Sequence, residues 1–232
     1  MERFDSRQRL LIAMAEQLKL PLLQIARTAE QAGTSPSFQQ SNTISSTADI
    51  ALRMIDGYLL SILPVQDQLP LEPILVSAVL QDTAHRLSKV ASDYNCQIEV
   101  SISGRQAPVM ANRKNIEIAY TLLLYAFIQA QENPVTIQRV LLATHKTPNG
   151  LEAGIFGDQK GINNEMLRRA RALCGSARQP LPFMSSSGGA GVFIADNLLQ
   201  AMNAPLHIAK HQKLNGLAAT LLPSYQLQFT KL

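Results

Sequence analysis

Apolar residues fall into two regimes along the chain. Through residues 1–65 they recur at helical spacing. Leu11, Ala15, Leu18, Leu22, Ile25 and Ala29 follow one another by four, three, four, three and four, and Ile44, Ala48, Ala51, Ile55, Tyr58 and Ile62 repeat the alternation. That period keeps one stripe of a helix turned toward a partner helix. Between the two runs, residues 33–42 (Gly-Thr-Ser-Pro-Ser-Phe-Gln-Gln-Ser-Asn) are rich in turn formers, and Pro64 stops the second run. The pattern predicts an antiparallel helical hairpin, with a kink where Pro21 removes a hydrogen bond from the first helix. Leu10, Met14, Leu52 and Leu59 add apolar surface beside the stripes. A lone hairpin cannot bury that surface, whereas two hairpins in a four-helix bundle can. A homodimer through residues 1–65 is therefore expected; the competing arrangement folds the hairpin back onto the rest of its own chain.

After a proline-rich linker at 64–73 the regime changes. Residues 74–93 carry Leu75, Val79, Leu80, Leu87 and Val90 at helical spacing, and 97–103 alternates Ile98, Val100 and Ile102 as a half-buried strand. A short strand at 109–111 and a long apolar helix at 113–131 follow. Strands at 135–144 and 151–156 flank the turn formers Thr147-Pro-Asn-Gly150, which predict a hairpin. A helix at 163–173, a glycine-rich turn, a helix at 191–203 and strands at 205–211 and 217–222 complete the order. The fold class is α+β, with a helical-hairpin domain at 1–65 and an α/β sandwich at 66–232, its helices on one face of a mixed sheet.

Composition narrows the function. Apolar residues make up 46% of the 232, enough for a full core, and the net charge of +4 is modest. Basic residues are scattered except for Arg168, Arg169 and Arg171, a pattern of a solvated helix face rather than a nucleic-acid footprint. Cys96 and Cys174 offer neither a metal spacing nor a disulfide framework, which suits a reducing, cytoplasmic setting. Apolar runs such as 121–128 fall well short of the roughly 20 residues that span a bilayer.

Residues 15–22, Ala-Glu-Gln-Leu-Lys-Leu-Pro-Leu, resemble the phosphoacceptor helix of sensor histidine kinases. That family places a proline five residues after its phosphorylated histidine, and here the position falls on Glu16. No histidine occurs anywhere in residues 1–65, and phosphorylation of an imidazole needs the imidazole nitrogen as nucleophile. The element order after residue 66 is similar to the ATP-binding domain shared by histidine kinases, Hsp90 chaperones, type II topoisomerases and mismatch-repair ATPases. The resemblance implies a helix with two asparagines four apart and then a basic residue, holding Mg²⁺ and phosphates. Thr121, Tyr125 and Ile128 stand in those places, so a normal Mg²⁺ site is not expected. It also implies an aspartate before a pair of spaced glycines, accepting a hydrogen bond from the adenine amino group. In Gly157-Asp-Gln-Lys-Gly161 the aspartate, Asp158, is one residue late, which in a strand turns it to the other face.

The last motif, Ser187-Gly188-Gly189-Ala190-Gly191-Val192, resembles the family's glycine-rich turn, where free helix N–H groups face an anion. Residues 163–187, with Arg168, Arg169, Arg171 and Arg178, read as a mobile lid. His85, His145, His207 and His211 lie apart in sequence without an acid-threonine neighbour, and Leu20 replaces the polar residue on which the family's phosphatase activity relies. No cofactor is assigned. ATP, held weakly and without a normal Mg²⁺ site by Asp158, Gly161, Gly188, Gly189 and Gly191, is the ligand the resemblance leaves. The expected function is a degenerate, dimeric adaptor of two-component signalling without autophosphorylation. Glu16, Gln17, Lys19 and Leu20 are the expected contact for a response-regulator receiver domain. The alternative is an ATP-binding kinase or ATPase of the same fold with an altered site.

Overall fold

A computed structural model describes residues 2–32, 38–62, 70–104, 106–130, 136–159, 161–172 and 188–223. Two long helices open the chain, α1 (Glu2–Ala32) and α2 (Phe38–Ile62), and they pack against each other. Helix α1 is assigned without a break through Pro21. The α/β portion follows: β1 (Glu72–Ile74), α3 (Val76–Asp93), β2 (Cys96–Ile102), β3 (Val109–Ala111), α4 (Arg113–Gln129), β4 (Gln138–Thr147) and β5 (Gly150–Gly157). Then come α5 (Asn164–Arg171), α6 (Gly188–Gln200), β6 (His207–His211) and β7 (Leu214–Leu221).

The main sheet has the order β2-β4-β5-β7-β6. Strand β2 runs parallel to β4, and every other neighbouring pair is antiparallel. The turn Thr147–Gly150 closes the β4–β5 hairpin as its residues predict. Gly150 is required there: its φ of +142° suits glycine, and a Cβ would stand 2.4 Å from the Leu221 carbonyl oxygen. Residues 72 and 73, assigned by sequence to a linker, and Ile74, assigned to the helix after it, instead form β1, which pairs antiparallel with β3 (Ile74 opposite Val109). Glu72 and Pro73 are exposed and only Ile74 is buried, so this strand has no alternation to betray it.

Strand alternation sorts the core. Val140, Leu142, Leu151, Ala153, Ile155, Leu217, Ala219 and Leu221 join the large core shared with the helices. Leu141, Ala143, Phe156, Leu214 and Ala218 form a smaller cluster on the opposite face. Helix α4 lies in the middle of the large core, with Asn112 capping it by accepting from the Asn115 N–H at 2.9 Å. From Ile118 to Ala130 every residue is buried, as a helix apolar on all sides must be.

Helix α2 belongs to the same core. Ile50 and Met54 are fully buried in it, and α2 packs on both α4 and α6. Gly57 sets how closely it can approach: a Cβ there would meet Ile118 Cγ2 at 2.8 Å, Ile194 Cγ2 at 3.0 Å and Leu122 Cδ1 at 3.2 Å. The stripe that α2 turns inward is thus Thr47, Ile50, Ala51, Met54 and Gly57. Only Ala51 of this set belongs to the predicted seam. Leu11, Leu22 and Ile55 of the predicted seam are exposed, as are Leu52 and Leu59 beside it.

Candidate functional site

The end of β5 is tied to the C-terminal half of α4, the helix that carries Thr121, Tyr125 and Ile128, through Gln159 and the Phe127 carbonyl. Thr121, Tyr125 and Ile128 are each wholly buried, and none presents a polar atom outward. The Thr121 hydroxyl donates to the Glu117 carbonyl one turn back, at 2.6 Å. Burial pushes the Tyr125 phenol well above its ordinary pKa, with Tyr94 beside it adding to the shift.

At the end of β5, Gly157 is buried and Asp158 exposed. The Asp158 charge acts on Arg139, which pairs with Glu99 of β2 and whose pKa these acids raise, Glu99 most. Gln159 then turns inward, 5% exposed, and its Nε2 donates to the Phe127 carbonyl of α4 at 3.0 Å. Gly161 is half-buried at φ +93°. Gly188 and Gly189 are not a turn ahead of a helix but the first residues of α6, and Gly191 lies within its first turn. Helix α6 therefore begins about one turn earlier than the sequence predicts.

The stretch expected to be a lid divides. Residues 164–171 form α5, packed on α6 and β6. Arg171 fixes it: Nε and Nη2 donate to the two carboxylate oxygens of Asp196 at 2.7 and 3.0 Å, and Nη2 donates to the Leu206 carbonyl at 2.6 Å. Asp196 is buried and also accepts from the Leu206 N–H at 2.8 Å. Arg168 and Arg169 both pair with Glu165 on the surface of α5. Residues 173–187, with Arg178, lie outside the described residues. So do the side chains of Glu16, Gln17 and Leu20; Lys19 is exposed on α1.

Three of the four histidines, expected to sit apart, come together. His145 and His207 each place Nε2 3.3 Å from a different oxygen of Glu152, and the His211 ring lies 6.0 Å from His145 and 5.4 Å from Phe156. Antiparallel pairing sets His145 opposite Glu152, and β6 reaches the pair diagonally across Ala218 of β7. No spacing within one strand could signal this. Burial, and then the His145 charge, lower the His211 pKa, against a smaller opposing pull from Glu152. Among the described residues no group of histidine, cysteine or acidic side chains is arranged to hold a metal ion.

No family model and no curated protein matches this sequence. Solved structures do match the architecture. The catalytic domain of the histidine kinase ThkA superposes with a TM-score of 0.52 at 9% identity, over 67% of this chain and 96% of that one. The histidine kinase AdeS of Acinetobacter baumannii gives 0.54 at 13% identity, over 89% and 96%. This chain has the fold of a histidine-kinase catalytic domain. Full-length ShkA, solved in complex with AMPPNP, gives 0.54 at 16% identity; the match covers 94% of this chain but 46% of ShkA.

Helix α4 of this fold carries Thr121, Tyr125 and Ile128 turned into the core. No described helix is long and apolar enough to cross a membrane. Surface depressions among the described residues include one of about 170 Å³ beside Lys146 and Pro148 and one of about 330 Å³ beside Glu72 and Arg113. Neither is lined by Thr121, Tyr125 or Asp158.

Proposed function

We propose that this chain is a dimeric adaptor of two-component signalling that keeps the histidine-kinase architecture and does not phosphorylate itself. The observation that carries this reading is the closed face of α4. Thr121, Tyr125 and Ile128 are fully buried, with the threonine hydroxyl committed to its own helix, so no hard oxygen ligand faces a metal. The absence of any histidine from residues 1–65 supports it independently.

Leu11, Leu22, Leu52, Ile55 and Leu59 are 40–62% exposed. Two copies joined through α1 and α2 would remove that surface from water, at roughly 25 cal/mol per Å². The receiver-domain contact is assigned to the α1 segment Glu16, Gln17, Lys19 and Leu20. Glu16 supplies one carboxylate where a phosphohistidine would carry nearly two charges, so the contact is electrostatic and modest. ATP is at most a weak ligand, without a normal Mg²⁺ site.

The test is titration of purified response-regulator receiver domains against the wild type and Glu16→Lys by calorimetry. Weaker binding by the variant is expected. Equal binding, or none by the wild type, refutes the receiver contact. Micromolar ATP binding with turnover would favour an ATP-using enzyme of the same fold.

A further inference from the structure

Gly157 and Gln159 interlock at the end of β5. Gly157 has no left-handed φ, so its missing side chain is a question of space rather than backbone conformation. A Cβ built there would lie 2.2 Å from Gln159 Oε1, 3.0 Å from Gln159 Cδ and 3.3 Å from Gln159 Nε2. All three nearest neighbours of that atom thus belong to one carboxamide. The same carboxamide donates to the Phe127 carbonyl at 3.0 Å. Phe127 is among the last residues of α4, where carbonyls have no donor within the helix. Gln159 therefore caps the helix end from the strand end while lying over Gly157. Its Oε1 is buried without a partner, an unfavourable place for an acceptor that the cap keeps there.

We infer that the Gln159 side chain is a built-in occupant of the base end of the nucleotide place, so that capping of α4 and entry of a purine exclude each other. Position 157 is where the fold's adenine-facing acceptor is expected, and the protein's own amide fills that volume. The inference rests on the reading above that ATP is at most a weak ligand here, and extends it by naming the group that closes the site. An aspartate at 157 would have to displace the Gln159 carboxamide, and with it the cap on the Phe127 carbonyl.

A stability cycle of the full chain with Gly157→Ala, Gln159→Ala and both together tests the interlock without any nucleotide. Gly157→Ala is expected to lower the denaturation midpoint in the wild-type background and to lose most of that effect when Gln159 is already alanine. If Gly157→Ala alone fails to fold, rescue by Gln159→Ala is the same result in stronger form. Equal losses in both backgrounds overturn the interlock. ADP is then titrated into the wild type and Gln159→Ala. A gain of about tenfold or more is expected, since an internal competitor lowers apparent affinity by the fraction of time the site is free. Unchanged affinity overturns the occlusion. Micromolar ADP binding by the wild type overturns the weak-ligand reading and the occlusion together, while the cycle still decides the interlock.

Discussion

Gly57→Ala decides whether α2 is docked on the α/β portion or merely runs beside it. On a solvent-facing helix the substitution stabilises, because alanine exceeds glycine by about 1 kcal/mol in helix propensity. At position 57 the new methyl enters occupied space. Its neighbours would be Ile118 Cγ2 at 2.8 Å, Ile194 Cγ2 at 3.0 Å and Leu122 Cδ1 at 3.2 Å. Two of these methyls are branched directly from Cβ and cannot swing away as the end of a long side chain can. Overpacking of this kind costs about 1–3 kcal/mol, so the net expectation is a loss of about 1 kcal/mol. Gly57→Val, with two further methyls in the same space, should lose more than 2 kcal/mol on the same scale. Urea denaturation followed by far-UV circular dichroism reads both, with exposed Ser41→Ala on α2 as control. A gain of about 1 kcal/mol for Gly57→Ala, the propensity value alone, would refute the docking of α2 against α4 and α6.

Asp196→Ala should cost about 2–4 kcal/mol in chemical denaturation, because it orphans the buried Leu206 N–H and releases the Arg171 guanidinium. The loss should be matched by faster hydrogen exchange in α5. The lowered pKa of His211 makes a pH prediction. The unfolded chain binds that proton more readily than the folded one, so the stabilisation is complete above the unfolded value of about 6.5 and fades as pH falls through the window beneath it. Denaturation midpoints measured from pH 7.5 to 5 should show this slope reduced in His211→Phe. For the proposed dimer, Ile55→Glu with Leu59→Glu should halve the mass in light scattering at micromolar concentration while leaving helical content unchanged. A dimer that survives both charges would remove these residues from the interface.

How much was legible in the sequence depended on which force set each feature. Single-element periodicity was enough for α3, α4, β2 and the β4–β5 hairpin, whose observed bounds lie within about three residues of the expectation. The start of α6 was misplaced because three glycines in four residues read as a turn, while burial of Val192, Ile194 and Ala195 holds them in a helix. Strand β1 was hidden because three residues carry no period. The inward face of α2 was hidden for another reason: both its stripes are apolar, and only a close approach at Gly57 selects between them.

At the candidate site, the sequence named Thr121, Tyr125 and Ile128, and their apolar helix already pointed to the burial they have. Asp158 lies just past the end of β5, exposed, where its charge acts on Arg139. The return of Gln159 over Gly157 was not visible, since a flexible side chain finds its partner across 32 residues of sequence. The gathering of His145, His207 and His211 around Glu152 likewise follows from strand order, which no local pattern encodes.

The central claim is that the architecture of a kinase persists here while the groups that move phosphate have been replaced by packing residues. Incubation of the purified full chain with γ-labelled ATP and Mg²⁺, followed by denaturing electrophoresis under alkaline conditions that preserve phosphohistidine, tests it most directly. The account predicts no label above that of a boiled control. Label retained on the polypeptide would contradict it.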